Sequence, residues 1–475
     1  MIVLLVASVA AIALPKVEAA TWHVYPGAGT PIQTAVDSAI AGDRIMVHPG
    51  TYDEQVVIDK SLTLQGYGST TIIKPSSASK LAIILDGHWS GNGVVAGIIV
   101  VNVADGSSVT VRNLKVDGTS VTEQPAGADN VAGIFYRETG GRIDTVTVTG
   151  VRVEAAGTAV RGYGMILSAS TNTVSVEVKS STINNFDKNA IDAEGNTLAV
   201  NIHHNTITGR GPLPEGDECQ NGVLVTENAV GTVNSNTIRN LVYAPETWWS
   251  AAIMFYEGGG SAGSNRITNC QIGVIFQDGS GTATGNTVNG GTVGLQGLWA
   301  QYVTAGMWTV SFVDNTVSGI KDSIYPWDTS AVGGATYNAG AVLTLNIGDN
   351  QLTGKGSSAD GVLIGDYPAG SPAGSITPII TGNSISGWQN GINVVSSTAH
   401  GLIEENYCEK SVVNGIFLSS TSDYNMVNKN RCYNNAGDGI KVEGNYNTLI
   451  GNYARYNGNL NYEVLGTGNV LIDNQ

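Results

Sequence analysis

Residues 265–289 read NRITNCQIGVIFQDGSGTATGNTVN. The stretch opens on Asn-x-Ile, runs into the apolar strand Gly273-Val-Ile-Phe, turns at Asp278-Gly279 and returns to Asn-x-Val. The same phrase recurs at Asn205, Asn236, Asn315, Asn350, Asn383, Asn406, Asn430 and Asn452, and from Asn383 onward the interval is 22 to 24 residues. Short β-branched runs at a fixed period, with no helical pattern between them, are the signature of a solenoid. Each period is one coil, and successive coils stack as parallel strands about 4.8 Å apart. Side chains in a strand alternate faces, so the Ile or Val two residues after Asn is expected to point inward. The Asn is expected at the preceding bend, in left-handed backbone geometry that Asn tolerates. Stacking then lays Asn over Asn and Ile over Ile.

The paired phrases Asn383-Ser-Ile…Asn390-Gly-Ile and Asn430-Arg-Cys…Asp438-Gly-Ile, with His48-Pro-Gly-Thr-Tyr-Asp-Glu54 at the entry, carry a family resemblance. The chain resembles the pectin-lyase-like superfamily, and within it the NosD-type, carbohydrate-binding and sugar-hydrolysis branch. The resemblance implies an all-β fold, a single-stranded right-handed parallel β-helix with a short N-terminal capping helix. It covers nearly all of residues 21–475. It does not choose an activity, because one scaffold hosts many chemistries. The Asp-Pro-His of mannuronan epimerases and the paired-Asp set of polygalacturonases are absent. The same resemblance makes His48 to Glu54 a fold marker rather than a catalytic motif.

Composition narrows the partners. The chain has 475 residues, 62 Gly and a formal net charge of −16. That charge argues against nucleic acid and anionic membranes, and against an acidic polysaccharide without a bridging cation. A carbohydrate polymer is the expected partner. Ile2 to Leu14 has the length of a signal-peptide apolar core, so residues 1–20 are read as a signal. No membrane span is expected after its removal, and the protein is expected to be secreted, extracellular or at the cell surface. Four cysteines do not make a disulfide framework. Cys408 and Cys432 occupy the inward position of successive coils and are expected to stack as buried apolar groups.

Thr30-Pro-Ile-Gln33 reads as a capping box with Pro at the first helical position. Ile32, Ala35, Val36, Ala39 and Ile40 then share a face, predicting a helix over 31–41 that covers the first coil. No capping element is visible after Val470-Leu-Ile, and such an edge invites pairing, so either an end-to-end partner is expected to cover it or the sequence ends early.

Residues 181–360 form a long-loop half, and 383–475 are regular short coils. The insertions at Phe186–Lys188, Gly209–Gln220, Leu241–Ser250 and Ile320–Ala339 all follow Asn-x-Ile and precede the next Gly or Ala strand. Sharing one coil position, they should rise as neighbours on one side. They bring Asp187, Glu246, Trp248, Trp249 and Trp327, which are the expected substrate-binding residues. Flat aromatic faces stack on sugar C–H faces, and carboxylates bond sugar hydroxyls. Equally, the tryptophans could pack the loops down onto the coil.

Aligned on their first Gly or Ala, three consecutive strands carry an acid at the fifth position onward: Glu227, Glu257 and Asp278. They are expected in one column, neighbours about 5 Å apart and alternate members about 10 Å. Those separations bracket what glycosidase carboxylate pairs use, which makes the three the catalytic candidates. The same column could instead bind Ca2+, the only cofactor expected, or serve as turn residues before Gly. Two functions follow. One is a secreted protein that binds and processes polysaccharide, of hydrolase or lyase type. The other is a non-catalytic structural or adhesive β-helix at the cell surface that binds glycan.

Overall fold

In the computed structural model, residues 18–475 are described, apart from 88–92, 154–160, 247, 322–328, 357–358, 366–373 and 396–399. The expected signal run and Trp327 therefore lie outside the described residues. Among the described residues the strands form three long sheets of seventeen, fifteen and sixteen strands. Within each, strands from successive coils pair in parallel, and among the described residues the one antiparallel pairing is Ile84–Asp86 with Val94–Val101. The chain visits the three sheets in rotation, one strand each per coil, and winds into a single right-handed solenoid.

Inward residues form one continuous core along the axis. The apolar residue two after each repeat Asn belongs to it: Ile207, Ile238, Ile267, Val317 and Ile385 are fully buried. Like residues lie over like. Phe255 stacks on Phe276 with centroids 4.7 Å apart, and Cys408 pairs in register with the equally buried Cys432. All four cysteines are free.

The asparagines behave differently from the expectation. Asn205, Asn236, Asn265 and their successors keep ordinary backbone angles, and the residue before each takes the left-handed one: His204, Ser235, Ser264, Gly285, Asp314 and Asp349 all have φ between 52° and 66°. The physical reason is the direction of the amide. Each repeat Asn is buried at 0–1% exposure and faces the neighbouring coil. Asn265 donates its backbone N–H to Asn286 Oδ1 at 3.0 Å, and its Nδ2 donates to the same oxygen and to Val233 O, both at 2.9 Å. The pattern repeats without a break from Asn205 to Asn474. Reorienting the chain falls to the preceding residue, whose side chain is free of that duty.

The N-terminal helix spans Pro31–Ser38, shorter than the expected 31–41, and Ile40 is exposed. Its expected capping box is not made. Thr30 makes no side-chain cap bond. Glu54 supplies the cap instead, its two carboxylate oxygens accepting Ile32 N–H at 3.0 Å and Gln33 N–H at 2.8 Å. Gln33 turns away to pair with the backbone of Val57. Tyr52 donates to the carbonyls of His48 and Val24, which ties the entry turn to the first strand.

The ladder makes a direct test available. Asn286→Ala removes one rung and leaves the Asn265 amides and the Ala262 carbonyl without their partner, all of them buried. Unmet buried donors and acceptors cost about 1–3 kcal/mol each. The expected outcome is a loss of at least about 2 kcal/mol in chemical denaturation.

Candidate functional site

The sixteen-stranded sheet carries the insertions. Each follows a strand of the fifteen-stranded sheet and precedes a strand of this one, so the loops share a corner as expected. The fourth insertion is shorter than read from sequence, because Ser330–Thr336 within it is itself a strand. The relevant strands are Arg161–Ser168, Asn189–Glu194, Asn221–Thr226, Ala251–Tyr256, Ile272–Gln277 and Gln296–Tyr302.

Parallel register arranges their outward side chains in three rows. One row runs Asn189, Asn221, Ala251, Ile272, Gln296. The second runs Asp192, Leu224, Met254, Ile275, Trp299. The third runs Glu194, Thr226, Tyr256, Gln277, Gln301. Over these rows lies a groove of about 540 Å³, floored by Leu224, Met254 and Ile275. Amide side chains of Asn189, Asn221, Gln277 and Gln301 reach it, and Trp248 and Trp249 form its loop wall.

The two tryptophans differ. Trp248 is 70% exposed. Trp249 is half-buried against an outer apolar cluster of Ala251, Ile272, Ile275 and Trp299. Trp249 thus packs its loop down onto the sheet, and Trp248 does not. Glu246 is buried and pairs with Lys321 Nζ at 2.5 Å, closing the loop base. Asp187 is also buried. Its Oδ2 accepts Val153 N–H at 2.7 Å, and Arg152 and Arg210 lie 3.7 and 3.6 Å from Oδ1. Burial raises its pKa, opposed by the Val153 amide and the arginines.

Glu227, Glu257 and Asp278 follow the third row by one residue and occupy one column. Asn228 donates to the Glu257 carbonyl, Glu257 to Gln277 and Asp278 to Gln301. All three take left-handed angles, with φ of 55°, 53° and 50°. The column borders the groove on the side away from the tryptophans, and the residues just before Glu257 and Asp278, Tyr256 and Gln277, line it. Burial, and then the charges of Glu257 and Asp278, hold the Tyr256 phenol above its ordinary pKa. Glu257 is exposed, whereas Asp278 is buried and does turn work: Oδ1 accepts Val303 N–H, Thr304 N–H and Thr304 Oγ1 at 2.9–3.0 Å. Among the described residues, no group of three or more His, Cys, Asp or Glu side chains is placed to hold a metal.

One acidic pair escaped the sequence alignment. Asp192 and Glu194, the latter closing the strand Asn189–Glu194, alternate with the core residues Ile191 and Ala193 and are fully buried on the outward face. Asn189 Nδ2 donates to Asp192 Oδ2 at 2.8 Å. The available signal was Ile191-Asp-Ala-Glu194 itself, two acids alternating with core residues in a strand.

No family model and no curated protein matches the chain. Several solved structures do. The A-module of mannuronan C-5 epimerase AlgE6 from Azotobacter vinelandii aligns over 93% of this chain and 94% of its own, with 15% identity and a TM-score of 0.39. The GH136 lacto-N-biosidase from Eubacterium ramulus aligns over 77% and 68%, with 10% identity and a TM-score of 0.47. The tailspike protein of Escherichia coli bacteriophage HK620 aligns over 95% and 76%, with 10% identity and a TM-score of 0.47. The architecture is a right-handed parallel β-helix. This assignment rests on the chain's own coil register. No described helix is long and apolar enough to cross a membrane.

Two tests follow. Trp248→Ala should change stability by less than about 0.5 kcal/mol, whereas Trp249→Ala should lower it by about 1–3 kcal/mol in urea melts. The second test concerns Asp360, buried further along the same sheet, where it accepts from Asn390 N, Asn390 Nδ2 and Asn393 Nδ2. Burial outweighs these bonds and raises its pKa from 3.8 to about 6. The folded state then holds the proton more tightly than the unfolded chain. The resulting stability is complete below pH 3.8 and is lost as pH rises to about 6. That loss is about 3 kcal/mol, and Asp360→Asn should largely abolish it in denaturation followed across this range.

Proposed function

We propose that this is a secreted polysaccharide-binding and polysaccharide-processing protein, of hydrolase or lyase type, whose substrate lies along the outer groove of the sixteen-stranded sheet. The observation that carries the reading is the groove itself: an apolar floor, an aromatic wall and a row of amides on one rigid sheet. This is the composition that sugar rings need, with C–H faces on apolar surface and hydroxyls on amides. Uncharged amides beside a chain of net charge −16 favour a neutral glycan. Trp248 and Trp249 would stack the chain, and Trp327, outside the described residues, is proposed from the sequence as a further sugar-binding aromatic. Asp187 and Glu246 would act by holding the loops that frame it. Glu257, exposed and beside Tyr256, is the member of the acid column best placed for proton transfer, with Glu227 beside it. The apolar run Ile2–Leu14 supports export.

The engagement of Asp278 in a turn favours the second reading, a non-catalytic glycan-binding β-helix. A glycan array read alongside release of reducing or unsaturated ends separates the two. Trp248→Ala should weaken binding roughly tenfold. Glu257→Gln should abolish product release and leave binding intact. Binding that survives Trp248→Ala and Trp249→Ala together would place the glycan elsewhere.

A further inference from the structure

Away from the groove, the fifteen-stranded sheet carries three short strands in succession, Tyr407–Glu409, Arg431–Tyr433 and Tyr453–Arg455. Their middle residues, Cys408, Cys432 and Ala454, are fully buried in the core, so the flanking residues face outward. Register fixes the pattern: Tyr407, Arg431 and Tyr453 form one row, and Glu409, Tyr433 and Arg455 the other. Tyrosine therefore alternates with charge along both rows and across each strand. The Tyr433 ring lies 5.7 Å from that of Tyr407 and 5.5 Å from that of Tyr453, centroid to centroid. The Arg455 guanidinium sits 4.4 Å from the Tyr453 centroid, within cation–π reach. Tyr456 follows at the corner, 76% exposed and in left-handed backbone with φ of 61°, a conformation uncommon for a bulky residue.

The charges on this face do not cancel. Arg431 and Arg455 are exposed, and neither pairs with a carboxylate among the described residues. The acid on these strands, Glu409, is already occupied: it accepts from Lys410 Nζ at 2.8 Å, Tyr407 Oη at 2.9 Å and Ser386 Oγ at 3.3 Å. Glu405, at the neighbouring corner, lies 3.5 Å from Lys429. The same face continues over the two preceding coils as Ser384, Ser386, Gln351 and Thr353, all uncharged. A chain of net charge −16 thus carries a locally cationic, aromatic surface with hydroxyls beside it. The coils here are short, which leaves the face flat and suits it to an extended chain more than to an enclosed small molecule.

We propose that Tyr407, Arg431, Tyr433, Tyr453 and Arg455 form a binding surface for an anionic polysaccharide, carboxylated or sulfated. Charge complementarity selects the occupant: a guanidinium fork matches a planar carboxylate or a sulfate with two parallel hydrogen bonds. Tyrosine offers flat apolar area to sugar C–H groups, and the serine and threonine hydroxyls meet sugar hydroxyls. Arg431 and Arg455 stand one coil and one alternate strand position apart, about 8 Å, so they take separate anionic groups along one chain. Net charge alone argues against such a partner. Position overrides it, because salt confines the reach of each exposed charge to about 10 Å. The surface lies on a different sheet from the groove and does not depend on what the groove binds.

The test measures binding of the full chain to dextran, carboxymethyl-dextran and dextran sulfate, which share one backbone, with poly-L-glutamate as a charged polymer that is not a sugar. Binding to one or both charged dextrans is expected, severalfold tighter than to dextran or poly-L-glutamate and weakening as salt rises. Retention by one charged dextran alone identifies the anionic group. Arg431→Gln combined with Arg455→Gln should lower that affinity about tenfold. Tyr453→Ala should lower it severalfold, with unchanged melting temperatures showing that the arginine variants are folded. Charged-dextran binding without any neutral-glycan binding supports this surface and counts against the groove. Failure to bind either charged dextran, or affinity that survives the paired arginine substitution, overturns the proposal. Loss of charged-dextran binding in Trp248→Ala places the anionic chain in the groove and overturns it too. Equal binding of poly-L-glutamate overturns it in favour of an acidic protein partner.

Discussion

The repeat asparagine bridging each coil to the next is the interaction on which the other features depend. A parallel sheet aligned only by backbone bonds can slip by one residue, and every side chain then changes face. A buried Asn prevents this. Its amide must find the backbone N–H and the side chain of its counterpart at one height, 2.9–3.0 Å away. A slipped coil would bury those groups unpaired, at a cost that a marginally stable protein does not tolerate. The ladder therefore holds register over eleven asparagines, from Asn205 to Asn474.

Fixed register is what makes the outer face chemically meaningful. Residues far apart in sequence become neighbours only because their coils agree in height. Leu224, Met254 and Ile275 make a continuous floor for that reason, as do the amides of Gln277 and Gln301 beside them. The same agreement places the exposed Glu257 and the loop tryptophans on opposite sides of one groove. The loops themselves are pinned by ion pairs at their bases, Glu246 with Lys321 and Asp187 with Arg152 and Arg210. Aromatic and acidic residues can then be displayed without conformational freedom, which is how a rigid scaffold keeps binding loops effective.

Acids take three different parts on this sheet, and burial separates them. Asp278 and Glu138 satisfy turn amides of the following coil. Asp360 is buried among asparagine amides that do not fully offset its desolvation. Asp192 and Glu194 are buried on the outward face, Asp192 accepting from the Asn189 amide and Glu194 lying in register between Ser168 and Thr226. Similar residue types in similar strands thus differ in purpose according to what the neighbouring coil presents.

The repeat, the inward apolar residue and the shared position of the insertions were legible in the sequence, because each depends on local alternation and a fixed period. The acid column was legible for the same reason, since register follows from the period once the coils stack. Three things were not. The left-handed residue proved to be the one before each Asn, because the Asn side chain is needed between coils and cannot also serve the bend. The helix cap came from Glu54, more than twenty residues away, instead of from Thr30, because only the folded first coil brings that carboxylate to the helix N-terminus. The buried pair Asp192 and Glu194 looked like ordinary strand residues. Sequence determines that two acids alternate with core residues there. Only the tertiary structure decides that the adjacent coils offer Ser168 and Thr226 and that the pair is sealed from water, because burial and partners belong to the stacked neighbours and not to the strand itself.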